Sequence, residues 1–155
     1  MKLVERTIHI NAPADLLYEL LTDGEHLARW IADSAETDPR PGGVVRWTHA
    51  NGDSCSGHFV ELVPSRRIVF TYGWDRAEVG VPPGSTTVEI TLRPSAAGTE
   101  LRLVHRGLLG PMADAHDGGW AHYLARLTKL AEGHDPHPDP FATRRVPTAA
   151  ELGLR

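Results

Sequence analysis

Two histidines in this sequence stand where acid–base chemistry could be done. His116 opens the string "HDGGW" (His116 to Trp120), and His105 falls within "TELRLVHRG" (Thr99 to Gly107). Histidine titrates near neutral pH, so a pair facing one cavity can move a proton in a cyclisation or a dehydration. Both are candidate catalytic residues without an assigned role. The alternative is that both are hydrogen-bonded and structural, or that they orient a ligand. "HDPHPD" (His134 to Asp139) offers two histidines and aspartates, but its prolines make an extended tail with no fixed ligand pattern, and no metal is expected. Cys55 is the only cysteine of the 155 residues, which excludes an intrachain disulfide; with no base predicted beside it, it reads as a core residue. No G-x-S-x-G elbow, P-loop or G-x-G-x-x-G occurs, and no cofactor is expected.

The elements that must position these residues follow from periodicity and turn chemistry. "LVERTIHI" (Leu3 to Ile10) predicts a strand. "NAPADLLYELLTD" predicts a helix with Asn11 as N-cap, Pro13 in its first turn and Leu16, Leu17, Leu20 and Leu21 on one face. Thr22 and Glu25 have capping-box spacing for a second short helix ending near Trp30. Five strands follow: "VVRWTHA", "SCSGHFVELV", "RIVFTYGW", "STTVEITL" and "TELRLVHRG". The turn "NGD" (Asn51 to Asp53) joins the first two, and a long loop from Asp75 to Gly84 follows the third. "AHDGGWAHYLARLTKLAEG" predicts a long amphipathic helix from about Ala115 to Gly133. The order β-α-α-β5-α places a six-stranded curved antiparallel sheet around the final helix, an α+β fold. Residues 1–134 form the single predicted domain and 135–155 a Pro-rich tail, packed along the surface or on a second subunit.

Face assignments then select a candidate site. At helical spacing Trp120, Tyr123, Leu124 and Leu127 share a stripe; extended backwards, it takes in Gly119 and His116, leaving Gly118 toward water. A side chain at Gly119 is expected to push the helix off the sheet or fill the cavity, and Asp114 and Asp117 are expected to favour the helix start. On the strands, His105 lies inward with Leu101 and Leu103, and Trp47 lies with His49. Phe70, Tyr72 and Trp74 share a face, while Phe59 and Glu61 share one less clearly assigned. The predicted ligand-binding set comprises Trp30, Trp47, His49, Phe59, Glu61, Phe70, Tyr72, Trp74, His105, His116, Gly119, Trp120 and Tyr123. Such a set suits an apolar cavity with a few orienting polar groups.

The segments "NAPADLLYELLTDGEHLARWIAD", "PRPGGVVRW", "GHFVELVPSRRIVFTYGW", "PPGSTTVEITLRPSAAGTELRLVHRGL" and "HDGGWAHYLARLTKL", taken in that order, resemble the START/SRPBCC superfamily of helix-grip proteins. Within it the chain is most similar to the AHSA-like branch, named after the C-terminal domain of the activator of a heat-shock-protein ATPase. The resemblance covers roughly Leu3 to Asp139. It implies a six-stranded antiparallel sheet gripping a long C-terminal helix, a hydrophobic tunnel between them, and a homodimer. It implies no single reaction, since the superfamily includes lipid carriers, plant hormone receptors, polyketide cyclases and oxygenase domains.

The formal charge of −4 and the absence of a Lys/Arg stripe argue against nucleic acid as a partner. No run approaches the ~18 apolar residues of a membrane span, and no signal peptide is visible, so a cytoplasmic protein is expected. The leading expectation is binding of a small hydrophobic or aromatic molecule, without catalysis. The rivals are a polyketide cyclase- or dehydratase-like enzyme using a pocket histidine, and a ligand-free stress-response protein docking on a chaperone. The eukaryotic activator has an additional N-terminal domain, whereas this chain opens at its first strand, so direct ATPase activation is the weaker expectation.

Overall fold

The alternation of apolar and polar residues along "TTVEITL" buries Thr86, Val88, Ile90 and Leu92 on one face and turns the residues between them toward solvent. The same period runs through the neighbouring strands and builds one sheet in a computed structural model that describes residues 2–142 and 144–154. The chain runs β1 (Lys2–Ile10), α1 (Ala14–Thr22), α2 (Gly24–Leu27), β2 (Ser34–Thr37), β3 (Val44–Thr48), β4 (Ser54–Val63), β5 (Arg67–Tyr72), β6 (Thr86–Ser95), β7 (Gly98–Leu108) and α3 (Gly110–Ala131). All pairings are antiparallel, in the order β1-β7-β6-β5-β4-β3-β2. The inner face of the sheet packs on α3, α1 touches both α3 and β6, and the core lies between these layers.

The sheet has seven strands rather than six. The added strand, β2, is the short polar "SAET", which pairs only with β3 at the sheet edge. A half-exposed edge strand needs no apolar run, so its sequence carries no hydrophobic signature.

The final helix begins five residues before the predicted start, at Gly110, with Pro111 in its first turn. Met112, Ala113, His116, Trp120, Leu124, Leu127 and Ala131 form its buried stripe. The two glycines therefore sit in mid-helix. Asp114 and Asp117 do not serve the helix start; they pair with Lys2 and Arg6 of β1, Arg6 reaching Asp117 through two hydrogen bonds of 2.9 and 3.0 Å. Both pairs are substantially exposed and tie the helix to the first strand more in register than in energy.

The predicted caps shift too. The residue capping α1 is Pro13, and the Asn11 backbone N–H instead donates to the Glu132 carboxylate at 2.9 Å. Asp23, not Thr22, caps α2 by accepting from Glu25 N–H at 2.9 Å, while the Thr22 hydroxyl donates back to Tyr18 O. Among the described residues, no helix is long and apolar enough to cross a membrane.

Candidate functional site

The inner face of β3, the exit of β5 and the middle of α3 enclose a cavity of about 300 Å³ at one end of the core. Its walls are largely aromatic. Trp47 comes from β3, Tyr72 and Trp74 from the end of β5, and Trp120 and Tyr123 from α3. Trp74 is held by an unusually close backbone approach: a Cβ on Gly73 would lie 1.7 Å from Pro82 O, so only glycine lets the chain pass here. Trp74 N–H then donates to Val81 O at 2.7 Å, and Cys55 bridges to Trp74 across the sheet.

Behind this wall the two histidines fix the indoles. His116 Nε2 accepts from Trp74 Nε1 at 3.0 Å, so its proton is on Nδ1, which donates to Met112 O at 2.8 Å. His105 Nδ1 accepts from Trp120 Nε1 at 3.1 Å. Its Nε2–H donates to the Thr86 hydroxyl at 2.8 Å, which in turn donates to Tyr72 O. All four ring nitrogens are engaged, and each histidine is locked in one neutral tautomer. Burial pushes the His105 pKa down to about 3, with the neighbouring His116 adding to the effect. Burial also lowers His116, against the opposing bond to Met112. Neither ring has a free nitrogen for a substrate, and neither takes up a proton near neutral pH. They position tryptophans.

The remaining polar groups behave differently. Trp47 Nε1 is buried and has no hydrogen-bond partner among the described residues. An orphaned buried donor carries a penalty of about 1–3 kcal/mol. The Tyr72 hydroxyl accepts from the Cys55 thiol, 3.6 Å away. His49 stacks on Trp74 with ring centroids 5.8 Å apart, and burial lowers its pKa despite the nearby Asp139 and Asp53.

The C-terminal segment crosses the mouth. It leaves α3 beside Arg126, which donates to Pro136 O and His137 O. Asp139 then accepts from His122 at 2.6 Å and Tyr123 at 2.8 Å; burial pulls its carboxyl upward, but these donors and Phe141 N–H outweigh that and hold it below the ordinary range. Phe141 stacks on His122 with centroids 3.7 Å apart. On the far side Asp53 is clamped by two guanidiniums, Arg76 at 3.0 and 3.1 Å and Arg145 at 2.8 and 3.2 Å. Burial raises the Asp53 carboxyl and the two arginines more than reverse it. Arg76 also donates to Val146 O, and Ala149 N–H to Glu78 O. The tail is thus a strap tied to α3 at one end and to the β3–β4 turn and the loop after β5 at the other.

Of the residues predicted for the site, Trp47, His49, Tyr72, Trp74, His116, Gly119, Trp120 and Tyr123 line the cavity. His105 lies one layer behind it, its ring centroid 4.6 Å from that of Tyr72. Trp30, Phe59 and Phe70 lie elsewhere in the core; the Trp30 indole donates to Leu20 O and packs the first helices. Glu61 is misplaced by the sequence reading. A β-bulge sets Phe59 opposite Phe70 but Glu61 opposite Val69, so Val60 and Glu61 both turn outward, and Glu61 pairs with Arg67. Gly119 faces the cavity, yet an added Cβ would meet nothing within 4 Å, so it would enter the cavity rather than push the helix away. Gly118, exposed, also borders the cavity. The reading missed Asn51, Asp53 and the strap. "NGD" carries a turn signal only, and nothing in "FATRRVP" says where it docks.

A curved antiparallel sheet closed over one long helix, with a cavity between them, defines a helix-grip protein of the SRPBCC type. The model of the family described as Activator of Hsp90 ATPase homolog 1-like protein matches residues 11–132, and the chain belongs to that family. An AHSA1-like protein of Rhizobium etli is similar at 42% identity and a TM-score of 0.68, the match covering 94% of this chain and 91% of that one. A protein of Chromobacterium violaceum is 27% identical with a TM-score of 0.72, over 84% of this chain and 96% of that one. DynU16, from the dynemicin biosynthetic locus, shares the fold at 24% identity and a TM-score of 0.75, over 90% of this chain and 51% of its own. No curated protein sequence matches significantly.

Proposed function

We propose that this protein binds a small, mostly apolar aromatic molecule in the cavity between β3, β5 and α3, and holds it without turning it over. The observation that carries this reading is an aromatic-walled space of about 300 Å³ between sheet and helix, bordered on α3 by Gly119, where an added Cβ would meet nothing within 4 Å. The volume is at the lower end of ordinary ligand pockets, which suits a two- or three-ring compound. A cyclase-like reaction through His105 or His116 needs a ring nitrogen that can exchange a proton with substrate, and both histidines have their nitrogens engaged by the protein. Native mass spectrometry of protein purified from its own source tests the proposal. A co-purifying small molecule displaced by Gly119→Leu supports it, and an empty protein that binds no aromatic probe refutes it. The homodimer implied by the family resemblance and a cytoplasmic setting complete the proposal; sedimentation of the 17.0 kDa chain at monomer mass would remove the dimer.

A further inference from the structure

The polar groups of the cavity divide unevenly into those already engaged and those still open. Every strong acceptor on the wall is engaged. His116 Nε2 takes the Trp74 indole, and Asn51 Oδ1 takes Asp53 N–H. Asp53 takes Arg76 and Arg145. Asp139, beside the mouth, takes His122 and Tyr123.

What is left open includes a cation at the rim. At the mouth, the Arg144 guanidinium stands 4.1 Å above the Phe141 ring. Among the described residues no carboxylate lies within ion-pair distance of it, whereas Arg76 and Arg145 both reach Asp53. His49, in its neutral form, adds one donor and one acceptor.

A cation at the rim with its face on an aromatic ring selects a negative charge there, because a guanidinium bonds a carboxylate through two parallel N–H groups. We infer that the occupant is an aromatic acid, with its flat apolar body against Trp47, Trp74 and Trp120 and its anionic group at Arg144. This rests on the ligand-binding reading above and adds the charge and polarity of the ligand. A cationic group at the same rim position would meet the Arg144 guanidinium with like charge.

The test compares 2-naphthoate with 2-naphthamide, which match in shape and differ in charge, by isothermal titration calorimetry on the full chain. The acid is expected to bind about tenfold more tightly at low ionic strength, an advantage that shrinks as salt screens the exposed arginine. Arg144→Met keeps the stem over Phe141 and removes the charge; it should bring the acid down to the affinity of the amide. Arg144→Lys should restore part of the gap. Equal binding of acid and amide to the wild-type chain overturns this inference and leaves the ligand-binding reading standing. So does a preference for the acid that survives Arg144→Met. Failure of both probes to bind overturns both.

Discussion

Replacing His105 with glutamine tests whether the inner histidine is a neutral structural group. In the folded chain His105 is fully buried, and burial, then His116, pushes its pKa down to about 3. In the unfolded chain it titrates at the ordinary value of about 6.5. Below that value the unfolded chain binds a proton that the folded chain refuses, so acidification favours unfolding. The stability held by the neutral ring is complete above about pH 7.5. It falls by about 1.4 kcal/mol per pH unit below about 6.5 and levels off near the folded pKa. At pH 5 the loss from this one group comes to about 2 kcal/mol. Glutamine offers an amide to Thr86 or Trp120 but does not titrate. Urea unfolding followed by tryptophan fluorescence at about pH 7.5 and about pH 5 reads the effect, because the slope per group is fixed by linkage. The variant should start about 1 kcal/mol less stable at the higher pH, from less well-aligned hydrogen bonds. Its further drop at pH 5 should be smaller than the wild-type drop by about 2 kcal/mol. Contributions from His49 and the carboxylates are common to both proteins and cancel in that comparison. Equal drops would mean that His105 is protonated in the fold, and the locked-tautomer network would be wrong.

Gly118→Ala should raise stability by up to about 1 kcal/mol, since the site is exposed mid-helix and a Cβ there meets nothing; a lowered melting temperature would contradict the helical phase. Gly119→Leu should leave the fold intact while abolishing binding of a naphthalene probe by calorimetry, and undiminished binding would show that the guest sits elsewhere. Asp53→Asn removes the carboxylate that holds Arg76 and Arg145 and should cost about 3 kcal/mol, with trypsin then cutting rapidly after Arg144 and Arg145; an unchanged digestion pattern would refute the clamp. A chain ending at Gly133 should release a bound probe faster in stopped-flow displacement, and an unchanged release rate would mean that the strap does not close the mouth.

Periodicity made most of the architecture legible. Strands with one buried face and a helix with one apolar stripe can be phased from residue types alone, and this placed His116, Trp120, Trp47 and Tyr72 inward. The errors lie where a local irregularity or a long-range contact overrides the pattern. Glu61 lay outside because one inserted residue reverses strand parity, and a bulge leaves no composition signal. β2 was missed because an edge strand can be polar. The strap was legible only as a proline-rich tail, because its position depends on Asp53, Arg76 and Glu78, more than 65 residues earlier in the chain.

The glycine pair of "HDGGW" shows how a local cost can have a remote cause. In mid-helix each glycine sacrifices about 1 kcal/mol against alanine, and neither is needed for close packing, since a Cβ at either position meets no atom. Both border the cavity, between the buried turn of His116 and that of Trp120. A side chain at Gly119 would project into the space that Trp47 and Trp74 enclose from the opposite side. A fold selected for stability alone would place alanine at that turn of α3. A fold that must accept a guest keeps the glycine as room.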